Sequence, residues 1–199
     1  MTQANEHSRP GTLLLVVGPS GCGKDSLINW LQKRLCDDDT IRFARRTVTR
    51  PPSPTHEDHH GVTDAEFERL KADGAFSATW QAHGLQYGLP MECLSAIEAG
   101  RVVIANGSRR SIDTIRAAFP SIAIANISIR PDVLEQRLLA RGRETAAQVR
   151  ARLKQPKFQF PSDLLVCDID NSGALEDAGH QLLRLLSRLA AVRGEEEPA

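Results

Sequence analysis

At 199 residues the chain is long enough to bury the core of one α/β domain, and its 25 basic and 25 acidic side chains cancel. That balance leaves no global field to attract nucleic acid or an anionic membrane surface, so any pull on phosphate has to be local. Residues 1–10 lack the apolar core of a signal peptide and no apolar run approaches bilayer length. We therefore expect a cytoplasmic protein with a small-molecule substrate and neither a nucleic-acid nor a membrane partner.

The first predicted element is a strand over residues 12–17, Thr-Leu-Leu-Leu-Val-Val, a continuous apolar run of the kind buried on both faces of a parallel sheet. It stops at Gly18-Pro19-Ser20-Gly21-Cys22-Gly23-Lys24, after which Leu27, Ile28, Leu31 and Leu35 fall at helical spacing. Glycines set between a strand and a helix N-terminus and closed by lysine make a phosphate-binding loop. Gly18, Gly21 and Gly23 permit unusual dihedrals and close approach, the helix dipole favours an anion, and Lys24 brings a mobile positive charge to the β/γ-phosphates. The chain is thus expected to bind a nucleoside triphosphate through residues 18–26. A plain glycine-rich turn entering a helix would need neither the lysine nor its spacing.

Asp25 stands where such loops usually carry Ser or Thr. It can coordinate Mg²⁺ directly or through water, it can leave that part to Ser26 one position out of register, or it can merely complement the helix dipole. A carboxylate beside a triphosphate is repulsive unless a cation intervenes, which favours the metal role for Asp25.

Residues 40–48 read as a second strand, interrupted by the prolines of Thr49-Arg50-Pro51-Pro52-Ser53-Pro54. A capping-box spacing at Thr63 opens a short helix stopped by Gly74, and residues 75–80 and 85–89 form a hairpin around His83-Gly84. Further helices follow at Pro90, over 110–119, over 131–141 before Gly142, from Thr145 to about Lys154, and over 175–189. Strands at 101–105, 122–129 and 164–169 alternate with them. Strand–helix alternation of this kind implies a doubly wound parallel sheet with its chemistry at the strands' carboxyl ends.

Three constellations surround that edge. Arg45-Arg46-Thr47-Val48-Thr49-Arg50 can hold a second phosphorylated substrate, or it can be a surface charge cluster. Asn106-Gly107-Ser108-Arg109-Arg110 follows a buried strand, so Asn106, Ser108 and Arg109 are candidate substrate contacts, with a capped turn as the plain alternative. Between Arg130 and Lys154 lie seven basic residues against three acidic. Arg137, Arg141, Arg143, Arg150 and Arg152 can close over the triphosphate, although a solvated helical face explains some of them equally. His56, His59 and His60 crowd one loop without metal-ligand spacing and are expected at the surface. Four scattered cysteines, Cys22, Cys36, Cys93 and Cys167, form no C-x-x-C pair and are expected to be inert in a reducing compartment.

Taken together, the loop at 18–24, Thr49-Arg50-Pro51, the stretch from Phe76 to Trp80 with His83-Gly84 and Tyr87-Gly88, and Arg137…Arg141-Gly142-Arg143 resemble the guanylate kinase family over nearly the whole chain. The resemblance implies a three-layer doubly wound parallel-sheet P-loop kinase core (11–50, 100–141 and 155–192). To this core are added a small substrate-binding insertion at about 51–95 and an arginine-rich lid at about 137–154, all in one domain over 1–199. It departs where guanine is read: Ser53 replaces a second arginine, Ala78 falls where a base-reading glutamate belongs, and Ala105-Asn106 replaces an acidic strand end. Losing a carboxylate that pairs with base N–H groups removes base specificity.

Those departures are similar to the ribose 1,5-bisphosphate phosphokinase family of bacterial phosphonate breakdown, through Gly23-Lys24-Asp25-Ser26-Leu27, Trp80…Gly84-Leu85…Tyr87-Gly88, Asn106-Gly107-Ser108-Arg109 and Arg141-Gly142-Arg143-Glu144. The resemblance implies transfer from ATP, with Mg²⁺, to a sugar bisphosphate. Lys24, Arg137, Arg141 and Arg143 would be catalytic, and Thr49, Arg50, Tyr87, Asn106, Ser108, Arg109 and Arg152 would bind substrate. The rival readings are a nucleoside monophosphate kinase of altered base choice and a non-catalytic interaction module of the same fold. Retention of Lys24 speaks against the module.

Overall fold

The computed structural model describes residues 10–51, 58–140, 142, 145, 148–149 and 158–191. In chain order its elements are β1 (Thr12–Val17), α1 (Lys24–Arg34), β2 (Ile41–Phe43), β3 (Thr47–Val48), β4 (His60–Gly61), α2 (Asp64–Ala72), β5 (Phe76–Ala82) and β6 (Leu85–Pro90). They continue with α3 (Met91–Glu98), β7 (Val102–Asn106), α4 (Ile112–Arg116), β8 (Ile122–Ser128), α5 (Pro131–Ala140), β9 (Leu165–Asp170) and α6 (Leu175–Ala191).

Strand β1 is the hub of a five-stranded parallel sheet ordered β2-β7-β1-β8-β9. Leu13 to Val17 expose no surface, each such side chain contributing about 1.5–3 kcal/mol of burial. Strand alternation divides them between two layers. Leu14 and Val16 join Leu27, Trp30 and Leu31 of α1 and Leu182 and Leu186 of α6. Leu13, Leu15 and Val17 join Ile97 of α3, Ile112 of α4 and Trp80 and Leu89 of the second sheet. The result is the expected three-layer α/β core.

The second sheet, ordered β4-β3-β6-β5, rests on that other face. Its β5–β6 hairpin turns through His83 and Gly84, whose φ values of 53° and 73° are those of the turn that matches strand twist. Thr63 caps α2 by accepting from the Glu66 N–H at 3.2 Å.

Two of the expected elements are built differently. The single strand expected over 40–48 is two strands in different sheets: the Ala44 N–H makes a last bond to Ile104 O, and Thr47–Val48 then pair with Gly88 and Tyr87. Residues 40–48 contain no glycine or proline to mark a change of partner. The helix expected over 110–119 is a 3-10 turn at Arg109–Ser111 followed by the shorter α4, because Ser108 caps the tighter turn.

Gly107 sits where β7 ends, and a Cβ built there would lie 2.5 Å from Leu15 Cδ1 in the closed core. Gly107→Ala is expected to lower stability by about 1–3 kcal/mol through overpacking, read as a fall in the urea midpoint with unchanged slope.

Candidate active site

The carboxyl edge of the parallel sheet is where β1 releases the chain into the glycine loop. Gly21 and Gly23 hold φ values of 96° and 92°, a region costly for any L side chain. Both are also enclosed. A Cβ on Gly21 would come 2.8 Å from Leu138 Cδ2 of α5, and one on Gly23 would collide with the Asn171 side-chain amide. The same Gly23 position lies 3.7 Å from Arg137 Nη1, so α5 brings the half-buried Arg137 against the loop.

Lys24 Nζ donates to the carbonyls of Gly18 (3.1 Å) and Pro19 (3.2 Å) and lies 3.9 Å from Cys22 Sγ. Cys22 is fully buried, and burial pushes its thiol up despite the opposing pull of Lys24 and Arg109. Below the loop, Asn171 donates from Nδ2 to the Cys22 carbonyl at 2.7 Å and is itself only 1% exposed. That bond satisfies a buried acceptor and fixes the backbone next to Gly23.

Asp25, in the first turn of α1, accepts on Oδ1 from Asn106 Nδ2 at 2.7 Å. Asn106 ends β7 and is buried, so two residues far apart in the chain are joined beside the loop. Ser26 is exposed on the same turn. Strand register extends the polar edge: Asn106 lies beside Val16, Val17 beside Asn126, and Asn126 beside Asp168. Arg109 donates from Nη2 to Asn126 Oδ1 at 2.8 Å, and Asn126 donates to Asp168. Burial pulls the Arg109 guanidinium below its ordinary value, against Cys22 and Asp168, and it remains a cation. Ser108 is engaged in the turn: its hydroxyl accepts from the Arg110 N–H at 3.3 Å and its own N–H reaches Ser111 Oγ. Arg110 is exposed.

On the second sheet, Thr49 Oγ1 accepts from the Gln86 N–H at 2.9 Å, which pins the end of β3 to β6. Tyr87 stacks on Trp80 with ring centroids 5.4 Å apart and planes 7° from parallel. Ala78 is buried in the apolar cluster between the sheets. Arg50 Nε, Trp80 Nε1 and Arg109 Nε are buried donors without a hydrogen-bond partner among the described residues.

One histidine expectation is overturned. His59 is only 2% exposed, with Nε2 3.2 Å from the Arg50 carbonyl that accepts from it, while His60 is exposed. A polar run carries no periodicity from which such burial could be read. Arg141, Arg143, Arg150, Arg152 and Lys154, with most of the expected lid, and His56 and Ser53 lie outside the described residues. Asn171, Asn126 and Asp168 were not singled out from sequence. Their signal is a polar residue at or just beyond the carboxyl end of an apolar strand, in Asn126, Asp168 and the Asp170-Asn171-Ser172-Gly173 turn.

The three-layer sheet, the glycine loop with Lys24 and the second sheet beside it define a P-loop kinase. The sequence signature of the family described as "Guanylate kinase" matches residues 10–188. A guanylate kinase structure from Anaplasma phagocytophilum shares the fold with a TM-score of 0.63 at 17% identity, covering 90% of this chain and 86% of that one. The chain is 42% identical over 178 residues to "Ribose 1,5-bisphosphate phosphokinase PhnN" of Agrobacterium fabrum, covering 89% of this chain and 97% of that relative. It is 39% identical over 181 residues to the protein of the same name in Rhizobium etli, covering 91% and 92%. The chain belongs to the guanylate kinase family and, within it, to the ribose 1,5-bisphosphate phosphokinases.

Asn171→Ala would leave the Cys22 carbonyl buried without its partner. The expected loss is about 1–3 kcal/mol of stability in urea unfolding, and an unchanged midpoint would remove Asn171 from the support of the loop.

Proposed function

We propose that the protein transfers the γ-phosphoryl group of ATP to ribose 1,5-bisphosphate, giving 5-phospho-α-D-ribose 1-diphosphate and ADP, as a cytoplasmic step of phosphonate catabolism. The observation that carries this reading is the combination of an intact phosphate loop with an acceptor side stripped of base-reading carboxylates. Ala78 is closed into the apolar cluster and Asn106 is turned to Asp25. An acceptor without a base needs neither carboxylate.

The loop fits a phosphate chain because left-handed Gly21 and Gly23 deliver the chain to the N-terminus of α1, where Lys24 stands, with Arg137 close to Gly23. In the transfer, an oxygen of the acceptor's 1-phosphate bonds to the γ-phosphorus while the bond from that phosphorus to the β,γ-bridging oxygen breaks, and ADP leaves. The attacking oxygen is already anionic, so no strong general base is required. Lys24 and Arg137 hold and neutralise the transferring oxygens, joined by Arg141 and Arg143 from the lid. Thr49, Arg50 and Tyr87 bind the acceptor from the second sheet. Asn106 orients Asp25, and Arg109, presented by the Ser108 turn, completes the polar edge, with Arg152 contributing from the lid.

Bound Mg²⁺ would supply positive charge that offsets that of the phosphates. Asp25 is the residue that would hold it, directly or through water, since its carboxylate is fixed by Asn106 at the start of α1.

Incubation of the protein with ATP, Mg²⁺ and a panel of acceptors, with products identified by mass, tests the reading. ADP release is expected with ribose 1,5-bisphosphate and not with GMP or other nucleoside monophosphates. Release dependent on GMP would instead establish a nucleotide kinase. Asp25→Asn keeps an oxygen to accept from Asn106 but removes the charge. It is expected to lower Mg²⁺-dependent kcat about 10–100-fold while leaving the melting temperature nearly unchanged, and equal turnover in both proteins would exclude the metal role.

A further inference from the structure

Three side chains from three elements form a row along the carboxyl edge of the parallel sheet. Arg109 opens the 3-10 turn that follows β7, Asn126 belongs to β8 and Asp168 to β9. Parallel register sets Val17, Asn126 and Asp168 side by side. Val17 is the residue before Gly18, so the row lies at the entrance to the glycine loop. Side chains alternate along a strand, so Asn126 shares a face with Ile124, and Asp168 with Val166. Both apolar residues pack in the layer that carries the second sheet, the acceptor side of the proposed reaction.

The chemistry of the three groups gives the row a direction. An ionised carboxylate only accepts hydrogen bonds and a guanidinium only donates them, whereas a carboxamide accepts at one end and donates at the other. Asn126 donates from Nδ2 to Asp168 Oδ1 and accepts on Oδ1 from Arg109 Nη2 at 2.8 Å. The two ends of an amide are nearly alike in shape, so hydrogen bonding decides which way it faces. Asp168 makes that choice. With its carboxylate in place, the amide nitrogen is drawn away from Arg109 and the oxygen is turned toward it. Without the carboxylate, the amide is free to turn over and set N–H against N–H, which displaces the guanidinium.

The amide also keeps two opposite charges apart. A carboxylate set directly against an arginine commonly engages two of its nitrogens and cancels its charge. Here Asn126 engages Nη2, and Asp168 acts from one side chain further away. Arg109 is oriented without being neutralised, as a residue that meets phosphate has to be. We infer that Asp168 is a positioning residue of the phosphoryl transfer, which, acting through Asn126, holds Arg109 toward the acceptor phosphate. This rests on the reaction proposed above, because it takes Arg109 to contact the acceptor.

The test is a double-mutant cycle on the full chain, with ATP, Mg²⁺ and ribose 1,5-bisphosphate and with ADP release as the readout. Asp168→Ala is expected to lower kcat/KM for ribose 1,5-bisphosphate about tenfold and to change KM for ATP less than about twofold. Beside Arg109→Met the same substitution should cost less than about twofold, since the group it positions is gone. Asp168→Asn, which keeps an oxygen to accept from Asn126, should recover part of the loss. Asn126→Ala removes the middle link and should show the same loss and the same disappearance beside Arg109→Met. It carries the cycle if circular dichroism shows Asp168→Ala unfolded. A loss that multiplies with that of Arg109→Met, or an equal change in KM for ATP, would make Asp168 a structural residue of the strand end and overturn the inference. Full activity of Asp168→Ala or of Arg109→Met would overturn it as well. A wild type that leaves ribose 1,5-bisphosphate untouched would overturn the acceptor assignment instead, and the same cycle with the acceptor found in the panel would then decide the positioning role separately.

Discussion

The carboxyl edge of the parallel sheet depends on one constraint: between Val17 and Lys24 the chain must turn from a buried strand directly into a helix. Left-handed backbone at Gly21 and Gly23 makes the turn possible, and close packing by Leu138 and Asn171 makes it singular. The bond from Asn171 to the Cys22 carbonyl ties the loop to the chain just beyond β9, almost 150 residues away in sequence. The left-handed turn, which glycine adopts without strain, is thus fixed in one arrangement by the surrounding packing.

Around that turn the charges are arranged locally, in a chain whose net charge is zero. Lys24, Arg137 and Arg109 converge on the carboxyl edge, and Asp25 is the carboxylate at the loop's exit, with its orientation set by Asn106. Such a site attracts phosphate at short range, where low dielectric strengthens each interaction, without making the whole protein a polyanion binder. The division of labour follows the division between sheets. In the proposed reaction the parallel sheet supplies the donor side, and the small sheet, reached at Thr47, the acceptor side.

Most of the core was legible because parallel strands buried on both faces announce themselves as apolar runs, as at residues 12–17, 102–106 and 122–128. The glycine loop was legible because its spacing has a mechanism. The division of residues 40–48 between two sheets was not, since the residues that form β2 and β3 are equally good strand-formers and differ only in partner. His59 was misjudged for a related reason: its burial comes from the way the chain folds back beside Arg46 and Arg50, and nothing adjacent to it in sequence encodes that. Ser108 illustrates the opposite case, where the capped turn considered from sequence is what the fold builds, and Arg109 is presented by it.

By itself, the order of residues determined the reaction class and the layer architecture, because backbone dihedrals, strand burial and helix capping are local properties of residue type. Only the tertiary structure decided which polar groups meet: Asp25 with Asn106, Asn171 with the Cys22 carbonyl, Arg109 with Asn126, and Arg46 with the Tyr87–Trp80 pair. Each pairing is fixed by strand order and register in a sheet whose neighbours are distant in sequence. A buried polar group must find its partner across that distance, so the partner cannot be read from the residues on either side of it.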